Sequence, residues 1–170
     1  MALSARITPR LWFDAEEAAN HYVAIFPNSS LGRIARYGRS GFERHGKKAG
    51  SVLTVAFTFD GEEFVALNGG PHFRFNEAVS FVVRCETQVE IDHYWSRLGE
   101  GGDEAAKICG WLKDRFGVSW QVVPAELDNW LTGDPVRADR CNAAIMGMQK
   151  LDIAALQRAY DGWTVEPGRR

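Results

Sequence analysis

Only three of the 170 residues are cysteine, Cys85, Cys109 and Cys141. An odd, widely spaced set suits neither a disulfide framework nor a Cys-x-x-Cys zinc or redox site. All three are therefore expected as reduced, buried thiols packed like small apolar groups. Charge of one sign is scarce too: 20 Lys and Arg against 22 Asp and Glu leave a net charge of -2. Without a concentrated basic face there is no electrostatic hold on a phosphate backbone, so a nucleic-acid partner is not expected. No apolar run approaches the roughly 20 residues that span a bilayer, and Met1 to Arg6 has no long apolar leader core. The expectation is a cytoplasmic protein with no membrane partner. No nucleophile with an adjacent base is visible, so a Ser/His/Asp or Cys/His mechanism lacks a motif.

What is present is an ordinary globular mixture, 45% hydrophobic and 25% charged, in a length that suits one compact domain or two packed half-domains. Ile7 to Phe13 reads as a strand that stops at Asp14, whose carboxylate can cap a helix with Glu17 completing a capping box. Ala18, Tyr22, Ile25 and Phe26 form the buried stripe of that helix, which Pro27-Asn28 ends. Leu31 to Tyr37 reads as a strand, and residues 38–48 have solvated-loop composition. Val52 to Phe59 alternates, Asp60-Gly61 supplies a hairpin turn, and Glu62 to Asn68 returns.

The order then starts again. Val79 to Cys85 is a strand, and Thr87 with Glu90 forms a capping box ahead of Ile91, Tyr94, Trp95 and Leu98, with Gly99 as the stop. A strand near Ala105 to Ile108 precedes a hairpin of Ile108 to Asp114 and Val118 to Val123 around Arg115-Phe116-Gly117. Beyond Pro124 the pattern turns helical: a turn at Leu127 to Leu131, a helix with Pro135 in its first position, and one capped by Asp152, running to Tyr160 and ended by Gly162. Pro167 to Arg170 reads as a frayed tail.

The fold class is thus α+β, with one βαβββ order presented twice: module one at 6–76, module two at 77–125, and a C-terminal helical extension at 126–162. One curved mixed sheet with a single helix leaves an apolar face uncovered, so the two modules are expected to pair their sheets around a cleft, the natural place for a ligand.

Several blocks carry a family resemblance: Ile7-Thr8-Pro9-Arg10-Leu11-Trp12-Phe13-Asp14, Ile25-Phe26-Pro27-Asn28-Ser29, and Ala66-Leu67-Asn68-Gly69-Gly70-Pro71. So do the run from Cys109-Gly110-Trp111 through Val122-Val123-Pro124 and the stretch Lys150 to Leu156. Together they resemble the PhnB-like branch of the vicinal oxygen chelate (glyoxalase-like) superfamily. Members often bear the name 3-demethylubiquinone-9 3-methyltransferase, which implies a pocket for S-adenosylmethionine, usually a glycine-rich turn that opens a helix. Gly99, Gly101 and Gly102 instead follow a helix.

The resemblance also implies a divalent cation held by His, Glu or Gln on inward-facing strand positions, gripping two adjacent substrate oxygens. Here the first strand offers Ile7 and Thr8, and the strand opening the second module reads Ala78-Val79-Ser80-Phe81. The Asp114-Arg115-Phe116-Gly117 turn resembles that of relatives and puts Gln121 where their last carboxylate ligand sits; the nearest polar group in module one is Asn68. Neutral amides are poor ligands for zinc-like cations, and a site needs about three protein donors. No metal and no cofactor are therefore expected. His21 and His93 fall within helices, His45 in the polar loop, and only His72 near the cleft.

The candidate ligand contacts are Trp12, Phe73, Phe75 and Trp111, with Trp120, as an aromatic slot, and Asn68, Ser80 and Gln121 as directed hydrogen-bonding groups. His72 follows Gly69-Gly70-Pro71 on a loop near the cleft and is a candidate acid or base, the alternative being an ordinary exposed loop histidine; Arg10 and Arg74 are candidates for an anionic group. For each aromatic the alternative is plain core packing, and for each arginine a solvated surface. Catalytic residues are not assigned.

Three functions compete. The first is a metal-independent small-molecule binder with a partly aromatic or apolar ligand. The second is an enzyme of the same fold, either a metal-assisted isomerase, lyase or dioxygenase or the methyltransferase of the family name. The third is a structural role by self-association as a homodimer through Tyr160 and Trp163. Membership of a fold does not choose among them.

Overall fold

The computed structural model describes residues 7–163, and the expected tail at Pro167 to Arg170 lies outside them. The chain forms two compact units, the first ending at Arg74 and the second beginning at Phe75.

In the first unit, β1 (Arg10–Trp12) is shorter than the expected strand, because Ile7 to Pro9 lack regular ladder structure. α1 (Ala15–Val23) starts where Asp14 accepts the Glu17 amide N–H at 3.4 Å. It ends before Ile25 and Phe26, which are nonetheless buried. β2 (Ser30–Arg36), β3 (Val52–Phe59) and β4 (Glu62–Leu67) complete a four-stranded mixed sheet in the order β1-β4-β3-β2, with β1 parallel to β4. Residues 38–48 are not all loop: α2 (Phe42–His45) forms a single turn between Gly41 and Gly46, both at positive φ. Glycine adopts that conformation without steric cost, so a four-residue helix can be stopped at both ends.

α1 lies on one face of this sheet. Ala15, Ala18, Ala19 and Tyr22 are fully buried, and the small alanines let the helix sit close while Tyr22 stacks on Phe57 at 6.2 Å. Phe59 stacks on Phe64 at 4.1 Å and on Phe26 at 5.1 Å, so the core of this unit is largely aromatic. Burying such rings contributes roughly 1.5–3 kcal/mol each.

The second unit repeats the order. β5 (Ser80–Cys85), α3 (Gln88–Gly99), β6 (Asp103–Ile108), β7 (Trp111–Lys113) and β8 (Ser119–Pro124) give a second mixed sheet, β5-β8-β7-β6, with β5 parallel to β8. The capping box at Thr87 and Glu90 is complete in both directions. Gly99 is the last helical residue, and the left-handed turn falls two residues later at Gly101.

The expected single strand from Ile108 to Asp114 is broken. Cys109 and Gly110 both take positive φ, 54° and 83°, and turn β6 tightly into β7. Two consecutive left-handed residues make the hairpin turn whose twist matches the strands it joins.

The helical extension is α4 (Leu127–Thr132), α5 (Pro135–Met146) and α6 (Ile153–Asp161). Asp134 and Asp152 cap the last two, and Gly162 at φ 82° stops α6. Trp130, Cys141, Ile145, Leu151 and Leu156 pack around Val123 of β8. The Cys109 and Gly110 amides donate to Met148 and Gln149 at 2.8 and 2.7 Å, fastening the extension to the β6–β7 turn. Among the described residues no helix is long and apolar enough to cross a membrane.

Candidate functional site

Strand alternation gives each sheet two faces. In the second unit Phe81, Leu112, Trp120 and Val122 belong to the α3 side: Phe81 pairs with Trp120, and Leu112 with Trp120, across the ladder. Trp120 is 1% exposed and donates its indole N–H to Asp114 Oδ2 at 2.8 Å. It is therefore a core residue, not part of an aromatic slot. Asp114 is itself buried and also accepts the Phe116 and Val118 amides through Oδ1, so one carboxylate closes the turn and satisfies the indole.

The opposite face carries Ser80, Ser119, Gln121, Trp111 and Lys113. Ser80 pairs with Ser119, Lys113 with Ser119, and Trp111 with Gln121. Gln121 Nε2 donates to Ser80 Oγ at 2.9 Å, a bond between neighbouring strands that holds both side chains on this face. Trp111 borders an apolar hollow of about 440 Å³, lined also by Ala106, Ile108, Cys109 and Glu77. Ile108 is 57% exposed and pairs directly with Trp111, so a large aliphatic group and an indole lie side by side facing solvent. Glu77 makes an ion pair with Lys113, which holds its carboxyl below the usual carboxylate range.

Another candidate group gathers in the first unit. Trp12 donates its indole N–H to the Gly70 carbonyl at 2.7 Å and meets Phe73 edge-on at 4.8 Å. A Cβ on Gly69 would fall 1.9 Å from the Trp12 ring, so only glycine leaves room for the indole. Asn68 joins strand end to loop: Nδ2 donates to the Val52 carbonyl, Oδ1 accepts from Lys47 and its carbonyl accepts from Tyr37. Phe73 and His72 are exposed. Phe75 is half-buried and belongs to the second unit.

The eight sequence candidates divide between the units, with Trp12, Asn68, His72 and Phe73 in the first and Phe75, Ser80, Trp111 and Gln121 in the second. The sequence reading missed Glu77, Ile108, Lys113 and Ser119. A signal existed for two of them, because Lys113 and Ser119 lie two residues from Trp111 and Gln121 and so share their face.

The sequence of residues 5–123 matches the family model described as 3-demethylubiquinone-9 3-methyltransferase. The chain belongs to this family. It is the PhnB-like branch of the vicinal oxygen chelate superfamily. The PhnB protein of Bacillus cereus, which carries the same methyltransferase description, is 35% identical, with a TM-score of 0.58 over 70% of this chain and 99% of that one. Protein PA1353 from Pseudomonas aeruginosa shares the fold at 20% identity and a TM-score of 0.54, over 71% and 98%. The fosfomycin resistance protein FosX of Mesorhizobium loti aligns at 10% identity and a TM-score of 0.46, over 71% and 91%. No curated protein matches the chain. The family match stops at residue 123, so the helical extension lies beyond it.

Neither group implied by the family fits the residues. Among the described residues, no three His, Cys, Asp or Glu side chains gather as a metal site. Ser80 and Gln121, in the strand positions in question, are neutral and hydrogen-bonded to each other, a poor donor set for a divalent cation. For S-adenosylmethionine, Gly101 and Gly102 follow the C-terminal end of α3, and a Cβ on Gly102 would lie 2.1 Å from the Lys113 carbonyl. That glycine serves backbone packing, and a helix C-terminus presents carbonyls, not the amide N–H groups that hold a cofactor.

Proposed function

We propose that this PhnB-like protein binds a small, largely apolar, planar molecule on the face of its second sheet opposite α3 and does so without a divalent cation. The observation that carries this reading is the placement of Trp111 beside an apolar hollow and opposite the hydrogen-bonded Ser80–Gln121 pair. Binding sites typically combine an apolar wall with a few directed polar groups. Trp111 supplies ring contact, Gln121 and Ser80 orient the ligand, and Phe75 is a further contact in the same unit; Trp12, Asn68, His72 and Phe73 are a candidate ligand-binding set of the first unit, to be tested by its own variants.

In this reading the protein is a single glyoxalase-like domain, residues 1–170, with modules at 6–76 and 77–125 and the extension at 126–162, and it works in the cytoplasm as a homodimer. Trp163 is 75% exposed and available to such an interface, whereas Tyr160 is engaged by Trp130 and by Arg137 at 4.2 Å. Light scattering tests the dimer.

The binding reading is tested by titrating 1,4-naphthoquinone and following tryptophan fluorescence, with Trp111→Ala, Gln121→Ala and Trp12→Ala alongside. Saturable quenching, weakened about tenfold or more in Trp111→Ala, is the expected result, since loss of an aromatic contact costs on the order of 1–2 kcal/mol. Calorimetric titration with zinc, nickel, manganese and S-adenosylmethionine is expected to show no binding. Stoichiometric metal uptake that vanishes in Gln121→Ala would replace this reading with chelate-type catalysis, and uptake of S-adenosylmethionine would favour the methyltransferase.

A further inference from the structure

Lys113 and Glu77 form an unequal ion pair. The lysine side chain is 23% exposed and stands on a strand of the second sheet, while the glutamate is 62% exposed and precedes β5. The lysine stem is thus held against the sheet while the ion pair itself is exposed, and its carboxylate partner is solvated. Directly opposite Lys113 in the ladder is Ser119, which is 2% exposed and whose Oγ has no hydrogen-bond partner among the described residues. Directly paired residues bring their Cβ atoms within roughly 4.5–5.5 Å on one face. A buried hydroxyl without a partner is rare, because such groups are nearly always satisfied. Here it stands between the lysine and Ser80 on the ladder, two residues from Gln121.

We propose that the ligand is an aromatic carboxylate, and that Lys113 and Ser119 receive its carboxylate once Glu77 is displaced. The inference rests on the binding reading above and names the class of molecule. Glu77 borders both the ion pair and the hollow beside Trp111. A flat ring against Trp111 therefore places its acid group where the Glu77 carboxylate stands. Glu77 acts as an internal stand-in that keeps the ammonium paired while the site is empty. The ion pair with Glu77 is exposed, and exposed pairs are held only weakly, so a ligand carboxylate can take the place of the Glu77 carboxylate on the ammonium. Ser119 then gains the acceptor that it lacks, and a charge-assisted bond to a carboxylate is stronger than a neutral one.

The test compares calorimetric titrations with 2-naphthoate and its neutral isostere 2-naphthamide in the wild-type protein and in Glu77→Gln, Lys113→Met and Ser119→Ala. The wild type is expected to prefer naphthoate at least fivefold. Removing the competing carboxylate in Glu77→Gln should tighten naphthoate about tenfold and leave naphthamide unchanged. Lys113→Met should abolish the preference, and Ser119→Ala should weaken naphthoate several-fold. Glu77→Gln alters an exposed position, so its titration decides the matter even where another variant fails to fold. Equal binding of the two probes, unmoved by Glu77→Gln, overturns the carboxylate assignment but preserves the apolar site. Binding of neither probe to the wild type or to Glu77→Gln overturns both.

Discussion

The two units close the same hairpin, between their third and fourth strands, in opposite ways. In the first, Asp60 and Gly61 turn at φ 49° and 81°, and Asp60 is exposed. In the second, the turn from Asp114 to Gly117 folds around a carboxylate that is 3% exposed and accepts from two backbone amides and the Trp120 indole. One turn is exposed, its Asp60 and Gly61 amides donating to the Ser29 hydroxyl and the Asn28 carbonyl; the other is welded to the core. The remaining connection differs too. The first unit links β2 to β3 through a long segment with a helical turn, whereas Cys109 and Gly110 alone link β6 to β7. Repetition of an element order thus says little about which parts of each copy are rigid.

The largest effect that would sharpen this comparison is Asp114→Ala. It strands an indole N–H and two amides, and is expected to cost about 3 kcal/mol or more, since each buried donor left unpaired costs roughly 1–3 kcal/mol. Asp60→Ala should cost about 1 kcal/mol, the penalty for holding alanine in a left-handed turn. Denaturant unfolding of both variants checks the contrast, and equal losses would break it.

Gly110→Ala and Gly61→Ala come next. Both residues have positive φ, but a Cβ on Gly110 would press on Leu151 at 3.0 Å and on the Val122 carbonyl at 3.2 Å. At Gly61 it meets only the Asn28 side-chain amide, at 3.0 Å. The shared conformational cost is about 1 kcal/mol, and Gly110→Ala should lose about 1 kcal/mol more through overpacking. A melting comparison reads the difference.

The smallest effect is a contrast in reactivity, and it reports on the second unit alone, because all three cysteines belong to it. Burial, aided by the nearby Glu90 charge, pushes the Cys85 thiol up to about 12, and burial also raises Cys141. Cys109 is half-exposed on the β6–β7 turn. A thiol reacts as its thiolate. At pH 8 a disulfide reagent should therefore label one cysteine quickly and the other two only as the unit opens. Rapid labelling of three would show that the second core is not closed.

By itself the sequence determined the repeated element order, the caps at Asp14, Thr87 and Asp152, the helix opened by Pro135, and the stop at Gly162, because capping and turn chemistry are local properties of a few adjacent residues. It also determined the family, through motifs spread along the chain. The break at Cys109-Gly110 escaped it, since a cysteine in a left-handed turn has no local preference that announces it; backbone bonds to Met148 and Gln149 support the turn from a distant part of the chain. Trp120 and Trp111 read alike as aromatic strand residues, yet one is held in the core by Asp114 and the other borders the hollow. Only the ladder register and the packing of α3 decided which face each took. Only tertiary structure, likewise, put Glu77 on Lys113 and left the Ser119 hydroxyl without a partner among the described residues. Pairing across strands depends on residues far apart in the chain, and no local pattern encodes it.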